Sequence, residues 1–305
     1  MTMLFPAGGG SIGTVLDMLR DVEVDSRANR AVVAGQVLQA GGRAELRAKL
    51  ATALYDTLHV GTALEASVSP GFRDRLAAAV PHELTRARGR VCSLATPDEV
   101  VIEIDGVRVR VPSSAVESPV AGAVTGVGIN CARPNLAPGF FLVDGPPGHG
   151  LESGDHVLRI YLHLVEQGMA TAAWHSALLL LGRLGVPYRA KVSLYLPRRD
   201  ALVLYLGRHA WPAAPGIVQE LSSLRGLGAA VSAYAHRIAD GVAVAWDPAD
   251  SRPGHGGLSF GEHRSRIIAD ALLAPGTRED ELARFLAEGN IDATGVFRNT
   301  TSPDL

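Results

Sequence analysis

The segment "DHVLRIYLHLV", residues 155–165, decides the fold of the second half of the chain. Apolar and polar residues alternate along it, which is the period-two pattern of a half-buried β-strand. One face carries four aliphatic side chains, those of Leu158, Ile160, Leu162 and Leu164. The opposite face carries Arg159, Tyr161 and His163. We therefore predict a strand with one core face and one polar face.

The residues that follow this strand predict a β-α-β-β-α-β succession. The elements after the first strand are a helix over 169–184, strands over 188–195 and 201–206, a helical region over 216–238 and a strand over 242–246. This is the order of a ferredoxin-like unit, in which helices cover one face of an antiparallel sheet and leave the other available. Two further helices are predicted, at 262–273 and 279–288.

Earlier segments complete an α+β protein in three parts. "RANRAVVAGQVLQAGG" and "AELRAKLATALYDTLHV" carry apolar residues at helical spacing, so the region 1–88 is predicted to be mainly helical. "DEVVIEIDGVRVRVP" alternates on both sides of Asp105-Gly106, which is typical of a two-residue hairpin turn. We therefore expect a β-hairpin region over 89–150 and the α+β domain over 151–305.

Composition and charge limit the classes of partner. The 305 residues include 29 basic and 31 acidic ones, a net charge of -2, which argues against nucleic acid as the main partner. The chain opens without a signal-peptide pattern, and its longest apolar run is too short to cross a bilayer. We therefore expect a protein of the bacterial cytoplasm with no membrane partner, whose two cysteines are reduced thiols.

Neighbouring strands extend the polar face of the predicted sheet. By alternation, this face collects Arg159, Tyr161, His163, Arg189, Lys191 and Tyr205. Cations and tyrosines without carboxylates favour an anion-binding surface. A face simply exposed to solvent is the alternative, because antiparallel sheets often have one.

The glycine-rich segment "SRPGHGGLSFGEHRSRII", residues 251–268, supplies a second group of cations. Ser259 is placed to cap the helix that follows, and the unpaired N–H groups of a helix start attract anions. Arg264 adds a bidentate donor suited to phosphate. His255 and His263 lack the spacing of a zinc-binding helix, so we expect no metal. The chain also lacks the aspartate signatures of a kinase, and no cofactor is expected.

Several segments resemble one family. "LRIYLHL", "VPYRAKVSL", "RRDALVLYL" and "GLSFGEHRSRIIADALL" resemble the Hop-A family of type III effectors of plant pathogens. "RPNLAPGFF" resembles a segment of homologues encoded beside peptide-modifying kinases. The resemblance covers roughly Gly89 to Leu273, and the amino-terminal part is less similar.

The resemblance implies a function. Similar bacterial proteins take part in the biosynthesis of class V lanthipeptides and thioamide-containing peptides. There a phosphotransferase-like kinase phosphorylates Ser or Thr of a precursor peptide, and the Hop-A-like protein is implicated in eliminating the phosphate. The expected partners are thus a phosphorylated precursor peptide and that kinase, in a transient or stable complex.

Elimination of phosphate requires a base, an acid and cations that hold the leaving group, and we distribute these roles over the residues above. Lys191 is the expected base, and His263 or His163 the expected acid. The expected phosphate holders are Arg159, Arg199 and Arg264, and the supporting contacts are Tyr161, Ser259 and Arg133. For Arg199, His263 and His163 a purely structural role in a turn, on a helix surface or on the sheet stays open.

A second function belongs to another class. A non-catalytic subunit that binds the precursor peptide and supports the kinase would need only an exposed strand edge for the peptide to join. Replacing Lys191 with alanine separates the two functions, because elimination requires a base and peptide binding does not.

Overall fold

A computed structural model of the chain describes residues 12–61, 68–104, 106–133, 136–152 and 154–305. The protein is α+β, as predicted, and its strands form three antiparallel sheets within these residues. The amino-terminal elements are α1 (Ile12–Met18), β1 (Val22–Asp25), β2 (Arg30–Val33), β3 (Gln36–Gln39), α2 (Arg43–Leu54) and α3 (Phe72–Ala78). A π-helical turn, Tyr55–Val60, continues α2.

The amino-terminal part is less helical than predicted, because β1, β2 and β3 form a three-stranded sheet. The predicted helix over 27–42 is wrong: most of this segment is the hairpin of β2 and β3. Ala34 and Gly35 form its two-residue turn with φ values of 47° and 82°, the positive values that such turns require. Burial alternates along both strands, which turns Val33 and Leu38 into the core.

A four-stranded sheet follows, in the order β6-β5-β4-β7. Its strands are β4 (Leu84–Thr96), β5 (Glu99–Ile104), β6 (Val107–Pro112) and β7 (Val124–Asn130). The predicted hairpin is confirmed as β5 and β6, which pair in antiparallel register from Glu99–Pro112 to Ile104–Val107. Residue 105 of its turn lies outside the described residues.

The largest sheet has six strands in the order β12-β13-β9-β11-β10-β8. Its elements are β8 (Phe140–Asp144), β9 (Leu158–Leu164), α4 (Gln167–Leu184), β10 (Arg189–Ser193), β11 (Arg198–Leu206), α5 (Ala214–Leu221), β12 (His236–Ala239) and β13 (Val242–Trp246). The predicted succession of strand, helix, two strands, helix and strand is present, and β8 and β12 extend the sheet at its two edges. The predicted helical region 216–238 is shorter, because α5 ends at Leu221.

Both faces of this sheet are covered. The aliphatic face of β9 packs with Trp174 and Leu178 of α4, as predicted. The opposite face, predicted to stay available, instead packs Tyr161 and Val203 against α2 and the helix α6 (Phe260–Leu273). The helices pack here because this removes the apolar side chains on their inward sides from water. The part of the face around Lys191 opens into a cavity.

The carboxyl-terminal helices are close to their predicted positions. Helix α6 is followed by α7 (Arg278–Glu288), and the two pack against each other. None of the helices in the part of the chain that the structure describes is long and apolar enough to cross a membrane. Cys92 and Cys131 are both free thiols.

Candidate functional site

A cavity of about 650 Å³ lies where the large sheet, the π-helical turn and the glycine-rich segment meet. Three cationic side chains of the sheet line it: those of Arg159, Lys191 and Arg198. The remaining wall comes from Tyr55, from Phe140 with the residues just before it, and from the segment between Asp247 and Glu262. The cavity therefore combines sheet cations with a loop and a helix start.

Arg159 is one of the two buried arginines of this cavity, with 7% of its surface exposed. It forms an ion pair with Asp247, just after β13, and its guanidinium lies 4.8 Å from the ring centre of Tyr205. Burial has the largest effect and lowers the pKa of Arg159, but Asp247, Tyr205 and Tyr161 together outweigh it, so the pKa is raised. Its Nε atom is buried without a hydrogen-bond partner among the described residues. A buried, charged donor without a partner is the feature expected where a ligand binds.

Arg198 reaches the cavity because β11 is irregular. The pairing of β11 with β9 moves from Arg198–Leu164 to Leu202–Leu162, so the longer stretch of β11 contains a bulge. The bulge changes the alternation, and Arg198 rather than Arg199 lines the cavity. The neighbouring Arg199 donates to Thr57 O instead, at 3.1 Å.

A buried carboxylate holds Arg198 in place. Nε and one terminal nitrogen of Arg198 donate to the two oxygens of Asp200 at 2.8 and 2.9 Å, and that terminal nitrogen also donates to Tyr55 Oη at 3.1 Å. Asp200 in turn lies 3.5 Å from Nε2 of His59. Burial lowers the pKa of His59 to about 4, so its ring is neutral at neutral pH. The other terminal nitrogen of Arg198 forms no hydrogen bond with any residue that the structure describes, so a ligand could bind there.

Lys191 differs from the two arginines. Its Nζ lies 4.2 Å from the ring centre of Phe140 and 5.7 Å from that of Tyr205. No residue that the structure describes forms a hydrogen bond or an ion pair with this amine. Aromatic faces stabilise a cation without neutralising it or blocking its lone pair when it is deprotonated. Lys191 is thus a half-buried amine with no carboxylate partner, in the same cavity as Arg159 and Arg198.

The glycine-rich segment closes the cavity and starts α6. Ser259 caps this helix as predicted: its hydroxyl accepts from the N–H of Glu262 at 3.4 Å, and Glu262 accepts from the N–H of Ser259 at 2.8 Å. His255 comes from the same segment and lines the cavity. Its Nδ1 lies 3.4 Å from Oδ2 of Asp250.

Asp250, His255 and His263 bring ligand atoms within 4.8 Å of one another, as a metal site would. The contacts of His263 favour another interpretation. Arg264, which can only donate, lies 2.8 Å from Nδ1 of His263, so this atom accepts and Nε2 carries the hydrogen. Nε2 then donates to Asp250 at 2.9 Å and offers a metal no lone pair. The cluster is a hydrogen-bonded histidine–carboxylate pair beside His255.

The carboxylate of this cluster is firmly anionic. Burial raises the pKa of Asp250, but hydrogen bonds from Arg252 and His263 outweigh it and hold the pKa well below its ordinary range. Burial also lowers the pKa of His263 to about 4, and Arg264 adds to the effect. A negative Asp250 beside a neutral His263 therefore faces the ring of His255.

Three of the predicted site residues line one cavity: Lys191, Arg159 and Ser259. The others do not line it. His263 and Arg264 are fully buried, and Arg264 donates to Val296 O and Asn299 Oδ1 inside the protein. Burial lowers the pKa of Arg264 to about 9. The structure thus places both residues behind the cavity wall.

The remaining predicted residues lie elsewhere. Nδ1 of His163 is 2.9 Å from Ala230 O, and Arg133 forms an ion pair with Asp144 at 3.2 Å. Tyr161 is buried between His59 and Phe260. Its pKa is raised by burial, which Arg159 partly offsets.

Sequence reasoning missed Arg198, His255 and Tyr55 as residues of the cavity. His255 had a usable signal, because it stands between glycines in the segment already singled out as anion-binding. Arg198 and Tyr55 had none: a bulge turns the first toward the cavity, and a π-helical turn begins at the second.

Comparison with known proteins finds similarity to bacterial effector proteins. The model of the HopA1 effector protein family matches residues 131–298, more than half of the chain. The solved structure of an effector protein from Pseudomonas syringae pv. tomato strain DC3000 is 14% identical, with a TM-score of 0.51 over 95% of this chain and 97% of that one. An effector from Pseudomonas syringae pv. syringae strain 61 is 16% identical, with a TM-score of 0.46 over 82% of this chain and 89% of that one. No curated protein matches.

Proposed function

The chain belongs to the HopA1 effector protein family, as its sequence predicted, and from this premise we propose that it is a phosphopeptide lyase. It removes phosphate from phosphorylated Ser or Thr of a ribosomal precursor peptide by β-elimination, which leaves dehydroalanine or dehydrobutyrine. The setting is class V lanthipeptide or thioamitide biosynthesis. The observation that supports this most is Lys191, an amine without a carboxylate partner in a cavity with two anchored arginines.

The two arginines bind the leaving phosphate. Each is held by a carboxylate, Arg159 by Asp247 and Arg198 by Asp200, so neither side chain must be ordered when the ligand arrives. Both side chains line the cavity, and one terminal nitrogen of Arg198 has no hydrogen-bond partner among the described residues. Donors fixed before the reaction stabilise developing charge without reorganisation.

Lys191 acts as the base. The lone pair of its neutral amine takes the proton from Cα of the phosphorylated residue. The electrons of that C–H bond form the Cα=Cβ double bond, while the Cβ–O bond breaks and its electrons leave with the phosphate. The ring faces of Phe140 and Tyr205 orient the amine.

His255 acts as the acid. Of the three histidines considered, it alone lines the cavity, whereas His263 and His163 do not. The Asp250 carboxylate lies behind it at 3.4 Å, and the protonated ring gives its proton to the departing phosphate. This role replaces the one that the sequence suggested for His263 or His163.

A phosphotransferase-like kinase supplies the phosphorylated peptide, in a transient or stable complex. The competing function, a non-catalytic peptide-binding subunit, predicts the same partners and no chemistry. The two differ in whether phosphate is lost from the peptide when the purified protein is added.

The test is mass spectrometry of a synthetic phosphothreonine peptide incubated with the protein. We expect loss of phosphoric acid with the wild type and a rate lower by about 10² to 10⁴ with Lys191→Met. Lys191→Arg is the matched control, since it keeps the cation but is never a base at neutral pH, and it should be equally slow. Elimination at the wild-type rate by Lys191→Met removes Lys191 as the base. No elimination by the wild type, with or without a kinase, contradicts the enzyme function.

A further inference from the structure

The outer edge of β3 has unpaired backbone groups. In the hairpin of β2 and β3, Val33 and Gln36 flank a two-residue turn, and the N–H of Ala40 donates to Asn29 O at 3.0 Å. Because hydrogen-bonded pairs alternate along an antiparallel ladder, the N–H and C=O groups of Val37 and Gln39 point away from β2. β3 is the last strand of its sheet, and no described strand pairs with this edge.

The edge of β3 faces a groove that leads to the candidate active site. One cavity of about 530 Å³ lies between the residues of β3 and α2. A second, of about 510 Å³, lies on the other side of a low ridge on α2 and is bounded also by Glu262 and Arg266. Ala48, Thr52 and Asp56 line both cavities, so small side chains form most of the ridge between them.

The second groove cavity adjoins the cavity that contains Lys191. Tyr55 and Glu262 line both of them. The three cavities therefore lie side by side along one path, from the cationic site past Tyr55, over the low ridge on α2, to the edge of β3. A path of this length can hold a peptide substrate that extends well beyond the single residue that reacts.

We infer that this path is the docking groove of an extended peptide substrate, whose main chain joins β3 as an added strand. The inference rests on the proposed function, because it places the phosphorylated residue in the cationic cavity and a distant segment of the same peptide at β3. Strand addition uses main-chain hydrogen bonds and therefore tolerates many sequences. One hydrogen bond is described at this edge: Lys49 Nζ donates to Gln39 O at 2.8 Å. The lysine side chain is long and exposed, so an N–H group of the peptide can take its place.

Two variants block the path without touching the cationic cavity. Val37→Pro removes an outward N–H, and an edge strand tolerates proline when no ladder bond is lost. Ala48→Arg fills the ridge from an exposed helix position. Ala44→Arg is the matched control, because Ala44 is exposed on the same helix and lines neither cavity of the groove.

The probes are two libraries of phosphothreonine peptides with random flanking residues. The long library has about a dozen residues on each side of the phosphothreonine, so that an extended peptide reaches from the cationic cavity to β3. The short library has a single residue on each side. We expect Val37→Pro and Ala48→Arg to weaken binding of the long library by about tenfold, the effect of about one lost hydrogen bond. Ala44→Arg should leave binding unchanged. All three variants should eliminate phosphate from the short library at the wild-type rate.

Hydrogen exchange gives a readout specific to strand addition. The long library should protect the amides of Val37 and Gln39, while that of Leu38, already paired with β2, changes little. Unchanged binding by both groove variants, or no protection at Val37 and Gln39, overturns the docking groove even if phosphate is eliminated. Protection of these amides with no elimination from either library instead leaves the groove in place and contradicts the lyase function.

Discussion

Nδ1 of His255 lies 3.4 Å from Oδ2 of Asp250, and this carboxylate joins it to the buried His263. Of the two histidines, only His255 borders the cavity. The buried histidine thus holds the carboxylate in place, and the other histidine presents its ring to the cavity.

The acid role of His255 has a direct test. In His255→Asn we expect elimination of phosphate to slow by about 10²-fold or more, the usual contribution of a positioned acid. His163→Asn is the control, because His163 lies outside the cavity, and it should react at nearly the wild-type rate. Initial rates from mass spectrometry decide the matter: an equal loss in the two variants would falsify the assignment of His255.

The ion pair of Arg198 and Asp200 should be sensitive to removal of one partner. Asp200→Asn leaves the buried guanidinium of Arg198 without its countercharge, and we expect the free energy of unfolding to fall by about 3 to 5 kcal/mol. Replacing both residues, with Arg198→Met and Asp200→Leu, should recover most of this loss. Urea unfolding of the single and double variants measures both values, and a single variant as stable as the wild type is incompatible with this interpretation.

Arg264 should matter for stability and not for phosphate binding. Arg264→Leu leaves three buried acceptors unpaired, on Val296, Asn299 and His263, at a cost of about 3 kcal/mol or more. Arg266→Leu, two residues along the same helix, should change stability by about 0.5 kcal/mol or less. If the folded Arg264 variant binds phosphopeptide much more weakly than the wild type, Arg264 contacts the phosphate after all.

The buried histidines predict how stability depends on pH. The pKa values of His59 and His263 fall from 6.5 to about 4 on folding. Below pH 6.5 the unfolded chain therefore binds protons that the folded protein does not, and stability decreases as the pH falls. Each histidine should account for about 3 kcal/mol by pH 4.

Urea unfolding at several pH values between about 7 and about 5.5 tests this, above the range where most carboxylates titrate. His59→Asn removes one of the two titrations and should reduce the slope by about half. A wild-type stability that stays constant over this range would show that these histidines do not remain neutral in the folded protein.

The alternation of apolar and polar residues predicted the side-chain directions correctly in the regular strands. It placed Leu158, Ile160 and Leu162 in the core and turned Arg159 and Lys191 to the other face, which the structure confirms. It was not applied to Arg199, which was predicted to lie in a turn before the strand over 201–206; β11 instead begins at Arg198, and its irregular register brings Arg198 and not Arg199 to the cavity. A bulge changes the direction of each side chain before it, and nothing in the local residue pattern announced this one.

The sequence also did not predict which carboxylates pair with the cations of the site. The polar face looked free of carboxylates because Asp247 and Asp250 follow β13, far along the chain from the cations that they approach. The amino-terminal hairpin was missed for a different reason. Its apolar residues also match helical spacing, and only pairing between strands distinguishes the two structures.

The sequence by itself determined the α+β class, the succession of elements from β9 to β13, the capped start of α6 and the family. These depend on local periodicity, on capping chemistry and on short segments that keep their character wherever they pack. The tertiary structure alone decided which cations share the cavity, that His255 and not His263 borders it, and that α2 covers the second face of the sheet. Those outcomes depend on contacts between distant residues, whose free energy no local pattern contains.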